Sequence, residues 1–198
     1  MTILGAAVLD FIDGYIARAV KGETEFGKQF DTLADVISFG VAPGFLMYHI
    51  SLYTYPGYRF IGFLLPLFSA LRLARFNTDR RQQEIFYGLP TPAMAVFVAS
   101  LPLIHLYHPG MLWMISVLQN IVPQTFLVLI LCALMVIPIP MISLKFKNFG
   151  WKGNEARFIL IGLSILLIAL FREAGIPLAI ILYVLLSVIL LMVTPKKT

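Results

Sequence analysis

Long apolar runs alternate with short polar connections along the whole chain. Seven apolar segments stand out, near residues 1–17, 29–53, 57–76, 90–107, 123–142, 155–172 and 176–194. Each has roughly 17–25 residues, about the length a helix needs to cross the hydrocarbon core of a bilayer. The pattern predicts an all-α fold: a polytopic transmembrane bundle of about seven helices. It reads as a single integral membrane domain over 1–198, with core helices in 1–142. Residues 143–198 add a polar loop and two C-terminal helices. No attached soluble domain, low-complexity segment or internal repeat interrupts the series.

Composition strengthens this picture. Of 198 residues, 60% are hydrophobic and only 13% charged, and the mean hydropathy is +0.90. A soluble domain carries about a quarter charged residues. The one cysteine, Cys132, lies inside an apolar run, so it reads as a small core residue and no disulfide framework exists. The N-terminus lacks a basic flank, and acidic residues interrupt its apolar run, so it does not read as a cleavable signal peptide.

The net charge of +5 changes the picture only through its placement. The basic residues sit in loops between apolar runs, which fits membrane topology and anionic headgroups; no nucleic-acid partner is expected. If the chain alternates from an inner 18–28 loop, all of the 15 basic residues except Arg59 and Arg172 fall inside. That asymmetry predicts a cytoplasmic 18–28 loop. Lys145, Lys147 and Lys152 then face headgroups. Residues 108–122 lie outside, with Trp113 and Tyr107 suited to the interface, as a loop or a re-entrant helix. Met1 opens the first apolar segment without polar flanks, and the alternation predicts a further helix upstream that this chain lacks.

Acidic residues inside apolar segments mark function more often than structure. Asp10 and Asp13 are spaced i, i+3, and Asp31 and Asp35 i, i+4, so each pair shares a helix face. A short loop lets the two helices run antiparallel and brings four carboxylates together. Such a cluster repels itself unless cations are bound. All-oxygen ligands favour Mg²⁺, Mn²⁺ or Ca²⁺, and two metals make a clamp for phosphoryl chemistry. Gly14, Ala17 and Gly27 leave room for a phosphate or for close packing, and Arg18 offers a cation to phosphate oxygens. Two other readings stay open at this point. The acids pair with Arg18, Lys21 and Lys28 as interface charges, or they form a cation or proton pathway of an ion-coupled transporter.

The residues themselves carry a resemblance. Asp10, two residues, Asp13-Gly14, two residues, Ala17-Arg18, eight residues, Gly27, three residues, Asp31, three residues, Asp35: this resembles, without a departure, the signature of the CDP-alcohol phosphotransferases. The resemblance implies a six-helix core, here lacking its first helix, an active site open to the cytoplasm and a homodimer. It implies two divalent metals per site held by Asp10, Asp13, Asp31 and Asp35. It places CDP against Asp10, Asp13, Gly14, Ala17, Arg18, Gly27 and Asp31, and makes Asp35 the general base toward the acceptor hydroxyl. A carboxylate within hydrogen-bond reach of an alcohol can play that last part. Direct attack is expected, since no nucleophile–base pair is arranged for a covalent intermediate.

Three stretches narrow the resemblance: DTLADVISFGVAPG at 31–44, ALRLARFN at 70–77 and YGLPTPAMA at 87–95. They are similar to the membrane-embedded phosphatidylserine synthases of bacteria and archaea, and 134–148 is similar more loosely. The implied substrates are CDP-diacylglycerol, or an ether-linked counterpart, and L-serine; glycerol 3-phosphate and inositol phosphate are the alternative acceptors. Arg72 and Arg75, spaced i, i+3, with Asn77 after them, are candidates to hold a serine carboxylate or a lipid phosphate. They equally suit positive-inside anchoring, or pairing with Asp79 and Glu84. Ser38, three residues beyond Asp35, either faces the acceptor or bonds back into its helix. Thr91-Pro92 reads as N-cap and first helical position. His49, His105 and His108 have no metal spacing and read as interfacial.

Overall fold

The computed structural model describes residues 3, 5, 24–54, 56–78, 86–108, 110, 117–143, 150, 151 and 153–193. The predicted first segment, with Asp10, Asp13, Gly14, Ala17 and Arg18, lies outside the described residues apart from Ile3 and Gly5.

Among the described residues the fold is all-helical apart from one short strand pair. Helix α1 (Glu25–Val36) is capped by Thr24, whose hydroxyl accepts from the Gly27 N–H at 3.0 Å. It runs through a π-helical turn, Ile37–Val41, into α2 (Ala42–Thr54). A 3₁₀ segment, Pro56–Phe63, turns the chain into α3 (Leu64–Thr78). Strand β1 (Phe86–Tyr87) precedes α4 (Thr91–Tyr107). Then come α5 (Ile121–Val136), strand β2 (Pro140–Met141), α6 (Glu155–Phe171) and α7 (Gly175–Val193).

Three stretches are long and apolar enough to cross a membrane: Glu25–Ser51, Gly57–Thr78 and Glu155–Met192. The last folds into two helices, α6 and α7, at the 3₁₀ turn Arg172–Ala174, where Arg172 takes a positive φ of 49°. The two pack against each other along their length. Helices α4 and α5, with 17 and 16 residues, are near the lower limit of about 17 for a span. This is an integral membrane helix bundle.

Burial explains the arrangement. Helix α4 is central: Met94, Ala95, Val98, Ser100, Leu101 and Ile104 are all buried. Helix α5 buries one stripe, Gln124, Val128, Leu131, Cys132 and Met135, at the i, i+4, i+7 spacing of a helix face. Cys132 is thus a core residue, as its apolar run predicts. Helix α6 buries only Leu160 and leaves Ile165 and Leu170 exposed. In a bilayer such a face meets lipid.

The predicted 123–142 segment is corrected at its end. Helix α5 stops at Val136 because Pro138 and Pro140 cannot continue it. Ile137, just before Pro138, is extended at φ −62°, ψ 133°. The chain then pairs as β2 with β1, Phe86 opposite Met141, a pairing the apolar runs do not show. The predicted helix start at 91 also moves by one residue. Pro90 occupies the cap position, Thr91 is already helical, and its buried hydroxyl makes no hydrogen bond.

The turn before α4 needs its glycine. Gly88 has φ +73°, and a Cβ there would lie 2.5 Å from the Met135 carbonyl oxygen. This close approach lets the Leu89 N–H reach the Leu134 carbonyl at 2.8 Å. A helix leaves its last carbonyls unpaired, and the turn supplies one of the missing partners.

Small residues also bring α1–α2 against α3. A Cβ on Gly40 would meet Ser69 Cβ at 3.0 Å, and one on Gly44 would meet Pro66 Cδ at 2.8 Å. A Cβ on Gly62 would lie 2.6 Å from the Gly44 carbonyl oxygen, a backbone atom that cannot step aside. Membrane helices associate through such close backbone approach. Gly62→Ala is therefore expected to destabilise the fold by about 1–3 kcal/mol, the usual cost of overpacking. Gly162→Ala is the control, since a Cβ there meets nothing within 4 Å. Thermal unfolding in detergent checks this: Gly62→Ala should melt several degrees lower, and Gly162→Ala no lower than the parent.

Candidate active site

Hydrogen bonds define two ends of the bundle. At one end Asn77 Nδ2 donates to Thr32 Oγ1 at 2.9 Å, tying the end of α3 to α1. Arg75 Nη1 reaches the Val136 carbonyl at 3.4 Å, at the end of α5. The β1–β2 pair lies at this end too. At the other end His108 Nε2 and Glu173 Oε2 are 3.3 Å apart, joining the end of α4 to the α6–α7 turn. Arg59 stacks over the rings of Tyr48 and Phe60 at 5.6 and 5.1 Å. His108 is thus engaged with a carboxylate, a partner its sequence position does not reveal.

The candidate site residues that are described lie toward the first end. Asp31 is exposed and Asp35 half-buried, one helical turn apart on α1. Gly27 is exposed a further turn back, its N–H held by Thr24. A Cβ on Gly27 would press on Thr24 Oγ1 at 3.0 Å, so the glycine also serves the cap. Ser38 is half-buried in the π turn just after Asp35. A π turn shifts the helix face that follows it and is frequent at functional sites. Beside α1, a polar cleft of about 380 Å³ is lined by Glu25, Gln29, Thr32, Leu33 and Asn77. Among the described residues, no three His, Cys, Asp or Glu side chains come together; Asp10 and Asp13 lie outside them.

The two arginines have different surroundings. Arg72 is only 7% exposed, and its Nε makes no hydrogen bond. Asp35 and Tyr183 are its electrostatic neighbours, from α1 and α7. A buried guanidinium with an unpaired N–H carries a high desolvation cost unless an anion offsets it. Arg75 is exposed and spends one nitrogen on a helix-end carbonyl. The i, i+3 spacing makes the two a candidate pair for a serine carboxylate or a lipid phosphate; in the fold Arg72 is buried and Arg75 exposed. Asp79 and Glu84 lie outside the described residues.

Tyr183 and Ser187 are the residues that the sequence reading missed. The Tyr183 hydroxyl donates to the Ile142 carbonyl at 3.2 Å, and Ser187 Oγ accepts from the Ile142 N–H at 3.1 Å. Both polar groups of one backbone residue are thereby held by α7. The available signal was faint: two polar residues four apart, on one face of an otherwise apolar helix.

The profile of the CDP-alcohol phosphatidyltransferase family matches residues 1–137. The chain belongs to this family. It is 41% identical over 104 residues to the CDP-diacylglycerol–serine O-phosphatidyltransferase of Helicobacter pylori strain 26695, covering 48% of this chain and 42% of that protein. It is 41% identical over 88 residues to the Bacillus subtilis protein of the same name, covering 42% and 48%. To the archaetidylserine synthase of Methanothermobacter thermautotrophicus it is 40% identical over 112 residues, covering 53% and 46%. The chain spans less than half the length of these relatives. Helices α6 and α7, with Tyr183 and Ser187, lie beyond the matched family region.

Proposed function

We propose that the chain transfers a phosphatidyl group from CDP-diacylglycerol to L-serine, giving phosphatidylserine and CMP, at the cytoplasmic face of the membrane. The observation that carries this reading is Arg72: a buried guanidinium with an unpaired Nε–H, beside Asp35, in a chain of this family. Serine brings a hydroxyl and a carboxylate. The carboxylate suits Arg72, because guanidinium donors match carboxylate oxygens in pairs. The hydroxyl then falls to Asp35. As the serine oxygen bonds to the lipid-linked phosphorus, Asp35 takes its proton, and the bond from that phosphorus to the CMP oxygen breaks. The names of the serine-transferring relatives support the acceptor. The archaeal relative supports a second reading, in which the donor lipid is ether-linked.

The donor set suits a divalent cation. Asp31 and Asp35 lie on successive turns of α1, and the family signature adds Asp10 and Asp13 as further oxygen donors. When bound there, such ions supply positive charge against the pyrophosphate. A nearly all-apolar groove of about 450 Å³ supports a lipid donor. It is lined by residues of α4, α6 and α7, among them Pro92, Ile165 and Tyr183.

The test is CMP release from CDP-diacylglycerol by the purified protein in detergent. Release should need serine and a divalent cation, stop with EDTA, and return with excess Mg²⁺ or Mn²⁺. Serine-dependent release that ignores EDTA would remove the metal site. Release driven by glycerol 3-phosphate or inositol phosphate instead would remove serine as acceptor.

A further inference from the structure

We infer that α7 divides the two acyl chains of the lipid donor, with one chain lying in an apolar groove on each side of it. The inference rests on the proposed reading of CDP-diacylglycerol, or its ether-linked counterpart, as the donor.

The wider groove, of about 450 Å³, lies between α4, α6 and α7; a second, of about 270 Å³, lies between α4, α5 and α7. Helix α7 belongs to both. Ala179 and Tyr183 line the wider groove, Ile181, Val184 and Leu185 the narrower one, and Ile180 lines both. At about 100° per residue the two sets fall on different faces of the helix, with Ile180 on the ridge between them. Ile180 packs against the buried core, so the ridge is held in place.

The grooves start together and run the same way. Leu89 lines the narrower groove and its neighbour Pro90 the wider one. The Leu89 N–H bonds to the Leu134 carbonyl near the end of α5, which puts both residues toward the end of the bundle where the candidate site lies. From there the wider groove follows α6 from Leu160 to Ile168, and the narrower one follows α5 from Leu134 back to Leu127. Each stretch of helix is about 10–12 Å long, and both lead toward the opposite end of the bundle.

A diacylglycerol carries its chains on adjacent carbons, so they leave one point and run side by side into the hydrocarbon. Two apolar grooves that start one residue apart fit that shape, whereas a single-chain ligand needs only one. The linings suit alkyl chains. The described lining of the narrower groove is wholly apolar, and the wider one adds only Ser164 and Tyr183, whose hydroxyl is given to the Ile142 carbonyl at 3.2 Å. Within a bilayer such grooves select a chain by packing and shape, since lipid tails are as apolar as the groove itself.

The experiment photolabels the full chain in detergent with CDP-diacylglycerol bearing a diazirine midway along either the first or the second acyl chain. Labelled peptides are identified by mass spectrometry, and phosphatidylcholine with the same group reports background. One chain should label α6 within 160–168 and the other α5 within 127–134, each above background. Both chains labelling the same helix, or neither exceeding phosphatidylcholine, overturns the inference. Two groove-filling variants add a kinetic readout. Ser164→Phe fills the wider groove and Ile181→Trp the narrower, and each should abolish labelling of its own groove alone. Each should raise the donor KM about fivefold or more, the lower end of an overpacking cost, and leave the serine KM within about twofold. Gly162→Phe is the control for bulk on α6, since a Cβ there meets nothing within 4 Å, and it should change neither. An unchanged donor KM in both folded filling variants, or an equal rise in Gly162→Phe, overturns the inference. The labelling of the parent decides the question if a filling variant fails to fold. A parent that releases no CMP with any acceptor overturns the function reading and this inference together. A parent that uses serine but places both chains on one helix overturns the inference alone.

Discussion

Asp35→Asn should lower acceptor-dependent CMP release by about 10²–10⁴-fold, the range lost with a general base. Asparagine keeps the size of the side chain, and Asp35 is half-buried in the last turn of α1. The substitution removes the basic oxygen with little change in packing. Asp35 is also a proposed metal ligand, so the donor KM should rise as well, and the loss of kcat at saturating donor, serine and Mg²⁺ is the part that reports on the base. Single-turnover CMP release with saturating serine checks this. Activity within about tenfold of the parent would move the base elsewhere.

The second large effect is at Arg72. Arg72→Leu should raise the serine KM about 100-fold, because a buried bidentate carboxylate contact comprises two charged hydrogen bonds. Arg72→Lys keeps the charge but loses the planar fork, and should recover only part of the affinity. Arg75→Ala serves as the contrast. Arg75 is exposed, and its described hydrogen bond goes to the Val136 carbonyl at 3.4 Å. It should therefore cost about a kcal/mol of stability or less and leave the serine KM within about threefold. Steady-state kinetics with serine varied at fixed donor separates the two arginines. Equal effects at 72 and 75 would restore the candidate pair that the spacing suggests.

Much of the architecture was legible because membrane helices announce themselves by length and polarity. The apolar runs from residue 29 onward each correspond to a helix, and the bend at Arg172 divides 155–194 where the charged pair Arg172-Glu173 interrupts the apolar pattern. The family was legible because its signature is a fixed spacing of charged and small residues. What escaped the sequence reading depended on contacts between distant segments. The β1–β2 pair is two residues a side, too short to leave a period. The π turn at Ile37–Val41 arises where Gly40 and Gly44 press against Ser69 and Pro66, and no local propensity encodes that pressure. Arg72 and Arg75 look equivalent in one dimension, yet Arg72 is buried and Arg75 is exposed. The roles of Tyr183 and Ser187 exist only once α7 lies beside Ile142.

Gly27 shows how one residue serves two readings. Its N–H caps onto Thr24 at the start of α1, and the family resemblance places it against the nucleotide. The two are compatible, because an uncluttered helix start leaves room for a phosphate near the positive end of the helix dipole.

The most direct test of the whole account is transfer of labelled serine into lipid. Purified protein is mixed with CDP-diacylglycerol, Mg²⁺ and radiolabelled serine, and the organic phase is counted beside an Asp35→Asn control. The account predicts label in the lipid phase that requires the CDP-lipid and is absent with Asp35→Asn. Serine left wholly in the aqueous phase, while labelled glycerol 3-phosphate or inositol phosphate enters the lipid, would contradict it.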